Sequence, residues 1–201
     1  MGRITMEKLT NSKTVPAIHS EFHALLSKHT PTATAILGLG GIGCKVITLA
    51  LESIPSPKCT MLAVNTDSRQ LDKLSARHSL LLSSEGDERL MPAIDTHDLI
   101  IVISGAGGLG EVITYKLCKD NGHSGRLIIP ILFKPFEFEG IKRNDAYQHL
   151  LQELLKLNIQ VLVLDNQKVL QQMKPDKTFT TLEQELMRQV VRLIIKINEK
   201  E

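Results

Sequence analysis

The sequence predicts an α/β fold, a doubly wound parallel sheet in one domain that ends in a long helix. Three observations predict it. From residue 34 onward, short runs rich in Val, Ile and Leu alternate with stretches of helical periodicity. Runs such as "LIIVIS" and "RLIIPIL" are apolar at every position, the mark of strands buried on both faces. Two glycine-rich turns each close a strand and open a helix.

Residues 1–33 form an N-terminal extension that is polar and ends at Pro31. Residues 19–28 have the spacing of a short helix, with Phe22, Leu25 and Leu26 on one face. His19 and His23 are four apart, a spacing that can bind metal. No cysteine or carboxylate cluster joins them, so they read as part of a solvated helix and no metal site is expected. Residues 34–201 form the domain. Strands are expected at 35–39, 60–64, 79–82, 99–104, 126–132 and 160–164. Helices are expected at 43–53, 110–121, 141–157, 167–173 and 180–198. A repeated strand–helix–strand order implies right-handed crossovers and a parallel sheet. Ligands of such Rossmann-like sheets bind at the carboxyl ends of the strands.

Composition narrows the function. The 201 residues are 42% hydrophobic but only 3% aromatic, with no Trp, so Leu, Ile and Val must build the core. A net charge of +2 and the lack of basic stretches interleaved with aromatics argue against nucleic acid as a partner. No apolar run is long enough to span a membrane, and no signal-peptide core is present. Cys44, Cys59 and Cys118 are isolated and odd in number, which reads as reduced thiols in a cytoplasmic protein.

The candidate site is a set of loops. "ILGLGGIGCK", residues 36–45, contains Gly38-x-Gly40-x-x-Gly43, the spacing of a dinucleotide fingerprint. Glycines there allow backbone N–H groups to approach an anion, and the helix start adds its positive end. A tight turn packed on glycines explains the same residues equally well. "LAVNTDSRQL" follows the second strand, where Asp67 could hold a ribose hydroxyl or cap a turn. "ISGAGGLGEV" ends the fourth strand in a second glycine loop. "FKPFEFEGIKR" follows the fifth, with Glu139 and Arg143 four apart at a helix start. Asp95, His97 and Asp98 read as a polar turn, and no catalytic constellation emerges.

Together these segments resemble the tubulin/FtsZ superfamily, bacterial FtsZ in particular. "GLGGIGCK" is similar to its first glycine loop, and "AVNTDSRQL" to its second-strand signature. "KPFEFEGIKR" is similar to its Pro-Phe-x-Phe-Glu-Gly-x-x-Arg segment, and "VLVLDNQKVL" to its strand ending in an Asn. The matches span residues 34–198. The resemblance implies a GTP- or GDP-binding domain whose filaments drive or regulate cell division. It implies a nucleotide site at Gly40, Gly41, Gly43, Lys45, Asn65, Asp67, Gly107, Gly108, Gly110, Glu139, Arg143 and Asn166. Within that set, Glu139 and Arg143 match a pair that contacts sugar and base, and Asn166 a guanine-side asparagine.

The sequence also departs from the family. Ile42, Cys44 and Lys45 replace a glycine, a glycine and an asparagine. The fourth-strand loop lacks both family threonines and carries Glu111 beside the phosphate position. The loop after the third strand is short. A base-stacking Phe aligns with Phe179, but the base-reading Asn-Asp pair falls near Glu183 and Gln184. The chain stops at Glu201, before the loop whose acids hydrolyse GTP on the neighbouring subunit. The expectation is a degenerate domain with weakened or lost nucleotide binding, no hydrolysis of its own and a regulatory or filament-interacting role. One alternative is a competent GTP-binding protein that hydrolyses with a full-length partner. Another is an NAD(P)-binding domain.

The last helix adds an expectation about partners. Leu182, Leu186, Val190, Leu193 and Ile197 line one face, and Met187, Val191, Ile194 and Ile195 the adjoining one. The apolar arc is about 220° wide, where a surface helix needs only somewhat more than about 100°. An uncovered second face would seat a second copy or a full-length FtsZ-like protein; the alternative is that the N-terminal extension, with Phe22, Leu25 and Leu26, folds back over it. Arg188, Arg192 and Lys196 should face water.

Overall fold

A computed structural model describes residues 22, 24, 31–121, 125–165, 167 and 178–200. Six strands form one parallel sheet in the order β3-β2-β1-β4-β5-β6. They are β1 (Thr34–Leu39), β2 (Thr60–Asn65), β3 (Ser79–Leu81), β4 (Leu99–Gly105), β5 (Leu127–Lys134) and β6 (Leu162–Asp165). The order reverses between β1 and β4, which pair from Thr34↔Leu99 to Leu39↔Ser104. Crossovers leave that point in opposite directions, which sets a crevice at the carboxyl ends of β1 and β4.

The helices are α1 (Gly40–Ser53), α2 (Leu90–Ile94), α3 (Leu109–Asn121), α4 (Ile141–Lys156) and α5 (Phe179–Lys200). Alternate strand residues point to opposite faces. Ile36, Met61, Ile101, Ile103, Ile129 and Ile131 pack with α1 and α5. Leu37, Val64, Ile100, Val102 and Leu132 pack with α2, α3 and α4. The central strands β1 and β4 have no exposed position, as their unbroken apolar runs require.

Local differences from the sequence reading have local causes. The first helix begins at Gly40, not at residue 43, because three of the turn's glycines are helical. α2 is additional: five residues are too few to show a period, and Pro92 is tolerated because it lies in the first turn. Most of the helix expected at 167–173, and the histidine pair His19 and His23, lie outside the described residues.

The expected open face of the last helix is corrected. Met187 is 4%, Val191 6% and Ile194 0% exposed, and Ile195 is half-buried. α5 packs against α1 as well as the sheet. Phe22, from the N-terminal extension, is 1% exposed and lies in the same cluster. The chain covers these side chains itself, so they do not form an exposed seat for a partner. Arg188, Arg192 and Lys196 are exposed, as expected.

Candidate functional site

The crevice at the switch point is a cleft of about 610 Å³, framed by the two glycine loops, the segment after β5 and the start of α5. α1 and α3 both begin there, so two helix N-termini and their free N–H groups face it. Gly40 turns the chain into α1 with φ of +69°, a conformation that glycine adopts without strain. A Cβ on Gly40 would lie 3.5 Å from the Gly110 nitrogen, so the two loops are close neighbours.

Eight of the twelve predicted residues line this cleft: Gly40, Gly41, Lys45, Gly107, Gly108, Gly110, Glu139 and Arg143. Three do not. Gly43 is buried, and a Cβ there would sit 2.5 Å from both the Gly38 carbonyl carbon and the Ile103 oxygen. It is a packing glycine that lets α1 lie against the sheet. Asn65 is buried at the end of β2, where its Oδ1 accepts from the N–H groups of Thr66 and Asp67 at 2.8 and 3.2 Å. Asp67 caps the 3-10 turn Ser68–Gln70 and is gripped by Arg69 at 2.9 and 2.8 Å, which lowers its pKa. Asn166 lies outside the described residues.

The substitutions in the first loop point different ways. Cys44 faces the core, with Sγ 3.6 Å from the Val64 oxygen and 3.7 Å from the Asn65 amide nitrogen. Burial raises its pKa, partly opposed by the Asn65 contact, so it is a protonated core thiol. Ile42 instead lines the cleft and puts an aliphatic side chain between the loops.

Each charged group in the cleft is already engaged. Lys45 Nζ donates to Glu183 at 3.1 and 3.4 Å. Arg143 donates to Glu139 Oε2 at 2.6 Å, while Glu139 Oε1 accepts from the Phe136 N–H at 2.8 Å. Lys45 and Arg143 are balanced by Glu139 and Glu183, so the lining side chains carry no net charge. Beside them, the Gly107 N–H donates to Glu111 Oε2 at 3.0 Å, with Gly107 at φ of +83°. That carboxylate, in the first turn of α3, occupies the position a helix start offers to an anion.

The third loop stays away. Ser83 donates through its N–H and hydroxyl to Asp87, and Arg89 holds the same carboxylate and the Leu81 oxygen. These bonds hold the Asp87 carboxyl well below the usual carboxylate range. No residue from 83 to 89 lines the cleft.

Sequence reasoning did not assign Gln70, Phe136, Phe138 or Leu186 to the cleft, all of which line it. Phe136 and Phe138 stack with centroids 5.0 Å apart and planes 17° from parallel, Phe136 buried and Phe138 63% exposed. The alternating aromatics of "PFEF" were the available signal. For Gln70 and Leu186 there was none, because their places depend on how elements pack.

Comparison with known proteins supports the resemblance. No family model matches. The chain is 28% identical over 180 residues to the cell division protein FtsZ of Helicobacter pylori strain J99, covering 79% of this chain and 47% of that protein. It is 25% identical over 157 residues to FtsZ 1 of Pyrococcus woesei, covering 68% of this chain and 43% of that one. A solved FtsZ dimer of M. jannaschii superposes with a TM-score of 0.71 at 20% identity, covering 89% of this chain and 59% of that one.

The chain is FtsZ-like in sequence and in fold.

GDP-bound CetZ1 of Haloferax volcanii shares this FtsZ-like fold, with a TM-score of 0.64 at 19% identity over 80% of this chain and 58% of that one. The FtsZ-like chain spans about half the length of the curated relatives it matches. Among its described residues, no helix is long and apolar enough to cross a membrane.

Proposed function

We propose that this chain is an FtsZ-like guanine-nucleotide-binding domain with a weakened phosphate grip, acting as a regulatory or filament-interacting partner in cell division. One observation carries the reading: the chain's own carboxylates occupy groups that a phosphate would need. Glu183 takes Lys45 and Glu111 takes the Gly107 N–H at the glycine loops, while Glu139 takes Arg143 on the side expected to meet sugar and base. A phosphate charge about 4 Å from Glu111 is opposed by about 1 kcal/mol in water and about 4 kcal/mol at an effective dielectric of 20. Held this way, the same carboxylates are poorly placed to serve as bases, so GTP turnover by the chain alone is not expected. The nucleotide class is supported by the GDP-bound CetZ1 neighbour and by the glycine loops at the sheet's switch point. The NAD(P) alternative loses its ribose-binding acid, since Asp67 is held by Arg69 and does not line the cleft. A cytoplasmic location, and assembly with itself or with a full-length FtsZ-like protein, belong to the same reading. The surface used would not be the apolar face of α5.

Titrating the purified chain with fluorescent GTP and GDP, and with NADH, tests this. Guanine nucleotides should bind with Kd weaker than about 1 μM and NADH should not bind. Glu111→Gln should tighten GTP about fivefold, the factor that corresponds to about 1 kcal/mol. Stoichiometric guanine nucleotide retained through purification would overturn the weakened grip. The competent-binder alternative has one observation in its favour: Lys45 is 52% exposed, and such surface ion pairs exchange at little cost. GTP-dependent co-assembly with a full-length FtsZ-like protein would favour it.

A further inference from the structure

Beside the cleft runs a second groove of about 370 Å³ between α1, the turn after β2 and α5, with Lys45 and Gln70 lining both. Its apolar lining is Leu49 and Met187, half-buried and buried respectively. Around these stand Lys45, Arg69, Lys73 and Arg188, against a single lining carboxylate, Glu52. The acids that pair with these cations lie outside the lining. Glu183 meets Lys45 at 3.1 Å, Asp67 meets Arg69 at 2.8 Å, and Glu185 reaches Arg188 only at 3.9 Å. The cationic partners are 52–83% exposed, so an incoming carboxylate can exchange for these surface pairs readily. Arg192, which shares Glu185 with Arg188 at 3.6 Å, and Lys196 continue the line of cations from Arg188 along the exposed side of α5.

We infer that this groove docks a short acidic peptide segment of a partner protein, with an aliphatic side chain against Leu49 and Met187 and carboxylates against the cationic rim. Charge complementarity supplies the attraction. Met187 supplies a side chain that adapts to different aliphatic shapes. No aromatic residue lines the groove, so it offers no stacking platform for bases. The apolar lining is sunk between two helices instead of projecting, which suits a peptide side chain better than a lipid surface. Because Lys45 borders the nucleotide cleft too, the docked segment would sit next to that site, but the docking itself does not depend on nucleotide.

The test uses the full chain and a fluorescein-labelled peptide of about eight residues alternating glutamate and leucine, followed by fluorescence anisotropy. Saturable binding should weaken at least about tenfold between about 50 and about 300 mM salt. It should weaken by about tenfold or more in the Lys73→Glu, Arg188→Glu double variant. Both residues are exposed, so an unchanged thermal melt will show that the variant is folded. Three results overturn the proposal: no binding to the native chain, equal binding by the folded double variant, or equal binding of the peptide with glutamine in place of glutamate. Tighter binding of single-stranded DNA or of phosphatidylglycerol vesicles through the same two residues would also overturn it, by assigning the groove to another class of partner.

Discussion

The two glycine loops look alike in sequence, and the structure gives them different tasks. In the first, a Cβ on Gly38 would lie 2.2 Å from the Gly43 oxygen, and one on Gly43 would lie 2.5 Å from the Ile103 oxygen. Those glycines let a helix sit on a sheet, whatever the cleft holds. In the second, only Gly110 is packed in this way, its added Cβ 3.0 Å from the Ser104 Cβ, while a Cβ on Gly108 would meet nothing within 4 Å and Gly107 is exposed at the cleft with its N–H given to Glu111. A fingerprint can therefore be conformationally obligatory at some of its glycines and open to ligand at others. Spacing alone does not say which.

The sharpest break of that comparison is Gly43→Ala. It should destabilise the fold by about 3 kcal/mol or more, because the obstructing atoms are backbone and cannot rotate away. A fall in the urea midpoint checks it. A variant as stable as the native chain would mean that the first loop is not packing-limited. Next comes Gly107→Ala. With φ of +83° and the Arg143 Cγ 3.1 Å from the added Cβ, it should cost about 1–2 kcal/mol, read in the same way. Glu111→Gln should have little effect on the urea midpoint, because it keeps an acceptor for the Gly107 N–H, while GTP affinity rises by about 1 kcal/mol. That outcome would place the second loop's Glu111 in ligand selection and not in folding.

A smaller effect is expected at the opposite end of the sheet. The Asp98 carboxylate accepts from the Thr32 N–H and hydroxyl and from the Ala33 N–H, which brings its pKa down to about 2. A lowered carboxylate pKa contributes stability above its unfolded value of about 3.9. That contribution is lost as pH falls through about 2, so Asp98→Asn should flatten the acid limb of stability in that window. The smallest effect belongs to Gly108→Ala, which should stay within about 0.5 kcal/mol. A large loss there would show that the second loop is packed as tightly as the first.

The sequence by itself determined the sheet. Unbroken apolar runs at β1, β4 and β5 can satisfy their side chains only between two layers of helix, and alternating helical segments demand parallel crossovers. It also pointed to one edge of that sheet, because glycine turns at strand ends were readable, and eight of the twelve residues expected at a nucleotide site line one cleft there. Tertiary structure decided what those residues are free to do. The Lys45–Glu183 pair joins positions 138 apart in the chain, so no local pattern reveals that the loop's cation is occupied. Whether Gly43 meets a ligand or the Ile103 backbone depends on the distance between a helix and a sheet. The second apolar face of α5 illustrates the same limit. Its width was plain from periodicity and the N-terminal extension was one candidate cover, but that α1 packs against it and that Phe22 does join the same cluster was decided only by the packing of distant segments. Hydrophobic burial is non-directional, so a pattern can state that a face must be covered without stating by what.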